Sequence, residues 1–178
     1  KSKVKPLNLL KTLSILNQHK DNYQHIELKI VYDKLHEHLQ IETDENKLIK
    51  VLENLLSNAY LYTPQGKIEI GFYTEENYII FFVKDSGLGI SEEDKPYIFE
   101  SFYRGQSAKS FAIRGLGLGL SIVSELVKLL NGNIWFESQP EQGSTFFVKI
   151  PTTIISTDDQ NDETTPAKTF SPESLKNV

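Results

Sequence analysis

Four short motifs follow one another in this chain, and together they constrain its fold and chemistry more than any other feature. They are, in order, Asn54-Leu-Leu-Ser-Asn58, Asp85-Ser-Gly-Leu-Gly-Ile90, Phe99-Glu-Ser-Phe-Tyr103 and Gly115-Leu-Gly-Leu-Gly-Leu120. One glycine-rich motif alone is weak evidence for a function. Here an amide pair, an acidic residue and two glycine loops occur in one sequence of domain size. Each of them could supply a different part of a nucleotide site.

Length and composition exclude several classes of protein. For 178 residues we expect one domain over residues 1–151, followed by a polar linker or disordered tail over residues 152–178. The net charge of −5 argues against binding of nucleic acid, which requires a basic surface. The absence of cysteine excludes disulfides and thiolate metal sites. No apolar run approaches the ~20 residues that cross a bilayer, so we expect a cytoplasmic domain without membrane contact, although its parent chain could carry a membrane anchor.

Hydrophobic periodicity predicts an α+β fold, a two-layer α/β sandwich with a mixed, mostly antiparallel sheet and helices on one face. Helices are expected over residues 8–20, 45–63 and 120–130, the second of them capped by Asp44. Strands are expected over residues 26–32, 39–43, 67–73, 78–84, 133–137 and 144–150. Regular patterning largely fails between Asp85 and Gly119, and a loop of that length in a compact domain is more often functional than idle.

The amide pair Asn54 and Asn58 lies on the second predicted helix. Residues four apart share one helix face, so both side chains should point the same way. Their neutral carbonyl oxygens suit a hard cation such as Mg²⁺ that also binds phosphate oxygens. The alternative for these two residues is a pair of exposed polar side chains or a local cap.

Asp85 ends an apolar strand and is followed by Gly87 and Gly89. A carboxylate in that position can accept hydrogen bonds from the exocyclic amine of adenine. The glycines would let the backbone approach the base and would permit positive φ. A simple Asp-Ser-Gly turn is the alternative.

Gly115, Gly117 and Gly119 alternate with leucines directly before a predicted helix. Free backbone N–H groups and the positive end of a helix make a phosphate cradle, whereas a flexible hinge is the alternative. Arg104 precedes this segment and could, together with further basic residues, neutralise a transferring γ-phosphoryl group. Those further residues are Lys109 and Arg114; each of the three could equally be a solvated surface charge.

Three aromatic residues flank Glu100 in the long loop: Phe99, Phe102 and Tyr103. We expect all three to dock this loop on the body of the domain.

The assembled set closely resembles the catalytic ATP-binding domain (HATPase) of bacterial sensor histidine kinases, within the wider GHKL superfamily of ATPases. The resemblance extends over residues from about 5 to 151. It includes the sequence around the motifs: Val51 to Ala59 with Tyr62-Thr-Pro64, Ile98-Phe-Glu with Phe102-Tyr-Arg104, and Gly143-Ser-Thr-Phe146.

The resemblance implies that ATP is held under a mobile lid between the Asp85 and Gly115 motifs. Asn58, helped by Asn54, would hold Mg²⁺, Asp85 would read the adenine amine, and Thr145 would support the base through water. The residues that the resemblance places at ATP are Asn58, Tyr62, Asp85, Gly87, Gly89, Ile90, Lys109, Arg114, Gly115, Leu116, Gly117, Leu118, Gly119, Leu120 and Thr145. The catalytic residues it implies are Asn54, Glu53 and Arg104.

Kinases of this type pass the γ-phosphoryl group to a histidine on a separate dimerisation domain, and then to an aspartate on the receiver domain of a response regulator. The true ATPases of the superfamily typically have a glutamate base at the position of Asn54, so this residue favours transfer over hydrolysis. Glu53 is adjacent, but one residue around a helix points about 100° away. It could still poise an incoming imidazole.

Two positions depart from the family pattern. Leu61 stands where a basic residue is frequent, and Ser101 where an arginine is frequent. Arg104, Lys109 or Arg114 must therefore compensate, or turnover is weak. No His-Glu or His-Asp followed by a long helical hairpin is present, so the acceptor histidine is expected on another part of the parent protein.

Other functions remain open at this point. One is a mechanical ATPase of the same superfamily, and another is a non-catalytic module whose interactions depend on nucleotide. A related serine kinase that acts on a partner protein is a third.

Overall fold

The computed structural model describes residues 1–18, 25–105, 116–152 and 154–155. Within them, three α-helices are present: α1 (Pro6–Gln18), α2 (Glu45–Tyr62) and α3 (Gly119–Leu129). The strands are β1 (Ser2–Val4), β2 (Ile26–Tyr32), β3 (Gln40–Thr43), β4 (Gly66–Glu75), β5 (Tyr78–Asp85), β6 (Asn133–Gln139), β7 (Gly143–Pro151) and β8 (Ile154–Ile155). Short 3₁₀ turns occur at Lys34–His36 and Lys95–Tyr97.

The main sheet has five strands in the order β2-β4-β5-β7-β6. Only β2 and β4 pair in parallel, whereas the other neighbours are antiparallel. Strands β1, β3 and β8 form a second, small antiparallel sheet. The predicted mixed, mostly antiparallel sheet is thereby confirmed.

The core lies between the main sheet and the three helices. Alternate strand residues such as Ile70, Phe81 and Val148 are fully buried in one cluster with apolar residues of all three helices. The opposite face of the sheet carries a separate, smaller cluster that includes Phe82 and Phe147. The layered arrangement of helices over one sheet face is therefore the one that the periodicity predicts.

Helix α2 begins and ends where the sequence signals place its ends. Asp44 has extended φ and ψ angles and its Oδ1 accepts a hydrogen bond from the Lys47 backbone N–H at 3.1 Å, which is an N-cap. Thr63, which precedes Pro64, has extended φ and ψ angles, as expected before proline. The seven buried residues of α2 are Leu48, Val51, Leu52, Leu55, Leu56, Ala59 and Tyr60. This burial fixes the opposite face of the helix, with Asn54 and Asn58, toward the site.

Several element boundaries differ by one to a few residues from expectation. Helix α1 begins at Pro6 rather than residue 8, because proline is well suited to the first turn of a helix; its predicted last two residues lie outside the described part. Beyond residue 151, where we expected the domain to end, Ile154–Ile155 pair with β3. Strands β1 and β8 are too short to produce a hydrophobic period, so the sequence did not predict them.

In the part of the chain that the structure describes, no helix has both the length and the apolar character needed to span a membrane.

Candidate functional site

A cavity of about 470 Å³ opens between α2, the end of β5 and the beginning of α3. Its volume is in the range of cavities that hold small-molecule ligands. Twelve of the residues predicted for the site line it: Asn54, Asn58, Tyr62, Asp85, Gly89, Ile90, Arg104, Leu116, Gly117, Leu118, Gly119 and Leu120. Three motifs separated in sequence therefore meet at one cavity.

Six predicted residues do not line this cavity or cannot be placed. Lys109, Arg114 and Gly115 lie outside the described residues. Glu53, Gly87 and Thr145 are described but are not part of the cavity wall.

Asp85 is the last residue of β5 and its side chain is only 7% exposed. Its Oδ1 accepts hydrogen bonds from the backbone N–H groups of Gly87 at 2.9 Å and Ser144 at 3.3 Å. Among the described residues nothing donates to Oδ2, which is left available to a ligand in the cavity. Burial raises the pKa of Asp85 to about 6, although the two backbone hydrogen bonds oppose the shift. The group is therefore an ionised acceptor at neutral pH, held in place by the backbone.

Gly87 contributes to the site through its backbone, because its N–H fixes Asp85 although it does not reach the cavity. Gly89 has a φ of +66°. A Cβ at Gly89 would overlap the carbonyl oxygen of Gln139, so this position excludes larger residues. The next residue, Ile90, donates its N–H to Ser138 Oγ at 2.8 Å. This hydrogen bond joins the turn after β5 to β6, and Ile90 lines the cavity.

Strand pairing places Ser144, and not Thr145, beside Asp85. Asp85 is opposite Ser144 in the β5–β7 ladder, whereas Thr145 is opposite Lys84. Successive residues of a strand point to opposite faces of the sheet, so Thr145 faces away from the cavity that Ser144 lines. The structure therefore has Ser144, one residue before the predicted Thr145, at the cavity beside Asp85.

Asn54 and Asn58 converge on the first residue of α3. A Cβ at Gly119 would lie 3.5 Å from Asn54 Oδ1 and 3.5 Å from Asn58 Oδ1. Asn54 Nδ2 donates to the carbonyl of Lys50 at 2.7 Å, which turns its Oδ1 toward this space. The described residues contain no cluster of three or more His, Asp or Glu side chains that could hold a metal. At this end of the cavity, the two amide oxygens are ligands of the kind that a hard cation accepts.

The glycine motif forms the turn into α3. Gly117 has a φ of +70°, and its carbonyl accepts a hydrogen bond from the Phe102 N–H at 2.9 Å. No side chain caps α3 at Leu118, so the N–H groups of the first turn keep their capacity to bind an anion. Gly105 and Leu116 also line the cavity.

Glu53 lies off the cavity, as its position on the helix predicts. Its Oε2 is 3.7 Å from Lys50 Nζ, and its side chain is 43% exposed. In this structure it is a surface ion pair on the flank of α2.

The three loop aromatics behave differently from one another. Phe99 packs edge-on against Phe136 with ring centroids 5.9 Å apart, and Tyr103 packs on Tyr97 at 5.4 Å. Phe102 is 72% exposed and has a φ of +67°. The docking prediction is therefore confirmed for Phe99, which packs on β6, and wrong for Phe102. Tyr103 packs on a residue of the same loop, so this contact orders the loop internally.

Tyr62, at the end of α2, is predominantly buried, and this burial raises the pKa of its hydroxyl. The nearby Arg104 opposes that shift, which places a positive charge at the cavity next to Tyr62.

Other lining residues were not among the predicted site residues: Ser57, Ala59, Leu61, Asp94, Ile98, Tyr103, Gly105, Ile122, Ser144 and Phe146. Of these, Leu61 had been identified only as a departure from the family pattern.

Comparisons with known proteins agree with this geometry. Residues 43–154, well over half of the chain, match the family described as histidine kinase-, DNA gyrase B-, and HSP90-like ATPase. The sensor histidine kinase WalK of Bacillus subtilis (strain 168) is 37% identical over 116 residues, which make up 64% of this chain and 19% of WalK. The chain thus spans about a fifth of that relative.

Two solved structures share the fold. The catalytic domain of histidine kinase ThkA has a TM-score of 0.71 and 30% identity, and covers 84% of this chain and 94% of that one. Full-length ShkA in complex with AMPPNP has a TM-score of 0.73 and 25% identity, and covers 88% of this chain and 32% of that one. By family match, fold and site, the chain belongs to the histidine kinase-, DNA gyrase B-, and HSP90-like ATPases, and is of the catalytic-domain type found in sensor histidine kinases.

Proposed function

We propose that this domain binds Mg-ATP in the cavity and donates the γ-phosphoryl group to a histidine on a separate dimerisation domain. The observation that carries the proposal is the arrangement within one cavity of a buried carboxylate, Asp85, and two convergent amide oxygens, on Asn54 and Asn58. The carboxylate suits a base with an exocyclic amine, and the amide oxygens suit a cation that is bound to phosphate. AMPPNP, the ligand of the ShkA structure, has both such a base and a chain of phosphates.

At the adenine end, Asp85 Oδ2 would accept a hydrogen bond from the N6 amine. Adenine offers a donor there, so an ionised carboxylate selects it. Tyr62 and Ile90 would pack along the base, since both line the cavity. Ser144 holds Asp85 through its backbone N–H and is the residue placed to support a bridging water.

At the phosphate end, the residues present fit Mg²⁺. Neutral amide oxygens are hard ligands, and Mg²⁺ usually retains waters and phosphate oxygens as its other ligands, so two protein oxygens are sufficient. Bound there, Mg²⁺ would neutralise charge on the phosphates. The N–H groups of the first turn of α3 would hold phosphate oxygens, and Arg104 would bring positive charge to the transferring group.

Transfer is favoured over hydrolysis because Asn54 cannot act as a general base. Its Nδ2 is bound to the Lys50 carbonyl, and Glu53 points away from the cavity in an ion pair with Lys50. The acceptor histidine on the dimerisation domain and, after it, a response-regulator receiver domain are the partners that this activity requires. Sensor kinases of which this chain covers only a part, such as WalK, support such a division.

The test combines nucleotide binding with transfer. Calorimetric titration with AMPPNP should show binding that Mg²⁺ strengthens. In a second step the histidine-containing domain of the parent kinase is supplied as a separate chain with ATP and Mg²⁺, and its phosphohistidine is measured. The proposal predicts phosphorylation that requires both chains. Tight binding without transfer would instead favour an interaction module that depends on nucleotide, and sustained ATP turnover without the acceptor would favour an ATPase.

A further inference from the structure

Asp94 is a second buried carboxylate in the cavity wall, and nothing in the proposed function uses it. It is only 4% exposed. A buried carboxylate is unfavourable unless it is hydrogen-bonded, and its negative charge would also oppose a bound triphosphate. We therefore expect an interaction of Asp94 that offsets these two unfavourable effects.

The contacts of Asp94 identify this interaction. Tyr103 Oη donates to Asp94 Oδ1 at 2.7 Å, and the Asp94 N–H donates to the carbonyl and to Oγ of Ser91 at 3.1 Å and 3.2 Å. The Tyr103 ring also packs on Tyr97. The hydrogen bond to Asp94 raises the pKa of Tyr103 to about 12, so the hydroxyl stays a donor throughout the physiological range.

The residue on the other side of Arg104 is held against the same carboxylate. A Cβ at Gly105 would lie 2.6 Å from Asp94 Oδ2, so a residue larger than glycine would collide with the carboxylate. Asp94 thus accepts a hydrogen bond from the residue before Arg104 and lies close to the residue after it. The backbone is also held one residue before Tyr103, where the Phe102 N–H donates to the Gly117 carbonyl at 2.9 Å.

We propose that Asp94 is a positioning residue that holds Tyr103 beside Arg104 and thereby positions Arg104 for a γ-phosphoryl group bound in the cavity. This inference rests on the proposed function, because Arg104 has this role only if a γ-phosphoryl group is bound. Holding the residue next to Arg104 reduces the conformational entropy that Arg104 loses when it contacts phosphate. The hydrogen bond between Tyr103 and Asp94 should therefore affect recognition of the third phosphate and leave recognition of adenine unchanged.

The experiment compares the affinities of AMPPNP and ADP, both with Mg²⁺, by calorimetric titration. Arg104→Ala should give the largest decrease in the ratio of AMPPNP to ADP affinity, since it removes the charge itself. Tyr103→Phe should lower the ratio of AMPPNP to ADP affinity by about three- to tenfold, with ADP affinity within about twofold of the wild type. Asp94→Ala should do the same, and Asp94→Asn, which keeps an acceptor for Tyr103, should restore most of the ratio. The double variant Asp94→Ala/Tyr103→Phe should be no worse than the more affected single variant, because both remove one hydrogen bond.

Tyr97→Phe is the matched control, because it removes a hydroxyl from the partner ring of Tyr103 and should leave the ratio unchanged. Thermal unfolding of every variant separates loss of stability from loss of positioning. If Tyr103→Phe lowers only the unfolding temperature, or lowers AMPPNP and ADP affinity equally, the bond is a structural contact and the inference is overturned. If the wild type binds neither nucleotide, the proposed function itself is overturned, together with this inference.

Discussion

Asp85 shows how one residue can favour binding at the expense of stability. Its carboxylate is buried and its pKa is raised by desolvation to about 6, whereas an unfolded chain would leave it near 3.8. Keeping it ionised at neutral pH therefore reduces the stability of the nucleotide-free domain. The unpaired Oδ2 is the acceptor that an adenine amine would satisfy.

Replacing Asp85 with Asn should separate these two effects. Asn Oδ1 can still accept the N–H groups of Gly87 and Ser144, so the free energy of unfolding at pH 7.5 should rise by roughly 1–3 kcal/mol. The Asn amide would present a donor to the adenine amine, so AMPPNP affinity should fall by about tenfold or more. Denaturant unfolding and calorimetric titration measure the two changes, with the exposed Glu93→Gln as the control for loss of charge. A less stable Asp85→Asn domain would contradict the explanation from desolvation.

Because Asp85 titrates near neutral pH, we expect both the stability of the domain and its affinity for AMPPNP to depend on pH. Between pH values of about 4 and about 6, the folded domain binds a proton at Asp85 that the unfolded chain lacks, so this residue makes the domain more stable as pH falls through that window. AMPPNP requires the ionised form, so its affinity should fall by about tenfold between pH 7 and pH 5. Titration at several pH values in wild type and Asp85→Asn checks this. Equal pH slopes in the two proteins would exclude Asp85 as the titrating group, whatever the phosphates contribute.

At the scale of elements, the site depends on how α2 meets the beginning of α3. The buried face of α2 fixes its rotation, and this rotation turns Asn54 and Asn58 toward Gly119 and turns Glu53 toward solvent. The helix period alone predicts that the two asparagines share a face. That the face meets α3 is a consequence of packing.

Gly119→Ala tests this meeting point. The added Cβ would be in ordinary contact with both asparagine oxygens, 3.5 Å from each, and alanine favours a helix more than glycine does by about 1 kcal/mol. We therefore expect an unchanged or slightly higher unfolding temperature together with loss of the Mg²⁺-dependent part of AMPPNP affinity. Titrations with and without Mg²⁺ measure the difference, and Ser124→Ala, on α3 but not in the cavity wall, is the control. Full retention of the Mg²⁺ effect would place the cation elsewhere.

Glu53→Gln is the complementary test on the flank of the same helix. Because Glu53 pairs with Lys50 at the surface and does not line the cavity, AMPPNP affinity should stay within about twofold of the wild type and stability should change by less than about 1 kcal/mol. Phosphotransfer to a supplied acceptor domain should likewise persist. If Glu53→Gln greatly reduced phosphotransfer while AMPPNP affinity stayed normal, Glu53 would have a catalytic role toward the incoming imidazole.

At the scale of the whole molecule, the site and the core share an element, because α2 contributes seven buried residues to the core and six residues to the wall of the cavity. A ligand that binds only the folded state should therefore stabilise the entire domain. At a concentration 100 times its dissociation constant, AMPPNP with Mg²⁺ should add about 2.7 kcal/mol to the free energy of unfolding. Scanning calorimetry with increasing nucleotide measures this, and Leu52→Ala, destabilised by about 2–5 kcal/mol, should be partly rescued. An unfolding temperature that nucleotide leaves unchanged would show that the folded domain does not bind it.

Those features of the protein that depend on near neighbours in the chain could be predicted from the amino-acid sequence. Hydrophobic periodicity gave the helices and main strands, Asp44 and Pro64 set the ends of α2, and the motifs identified Asp85, Asn58 and the glycine loop. These signals act over a few residues, through hydrogen bonds and side-chain directions that repeat with the secondary structure.

Which residues from distant parts of the chain meet depends on the tertiary fold. Strand register put Ser144 rather than Thr145 beside Asp85, and the fold of the loop brought Tyr103 onto Asp94 and turned Phe102 outward. A shift of one residue in register reverses which side chains face the site, and local patterns do not encode that register between β5 and β7. The buried environment that raises the pKa of Asp85 has the same origin, because it arises from elements that are far apart in sequence and close in space.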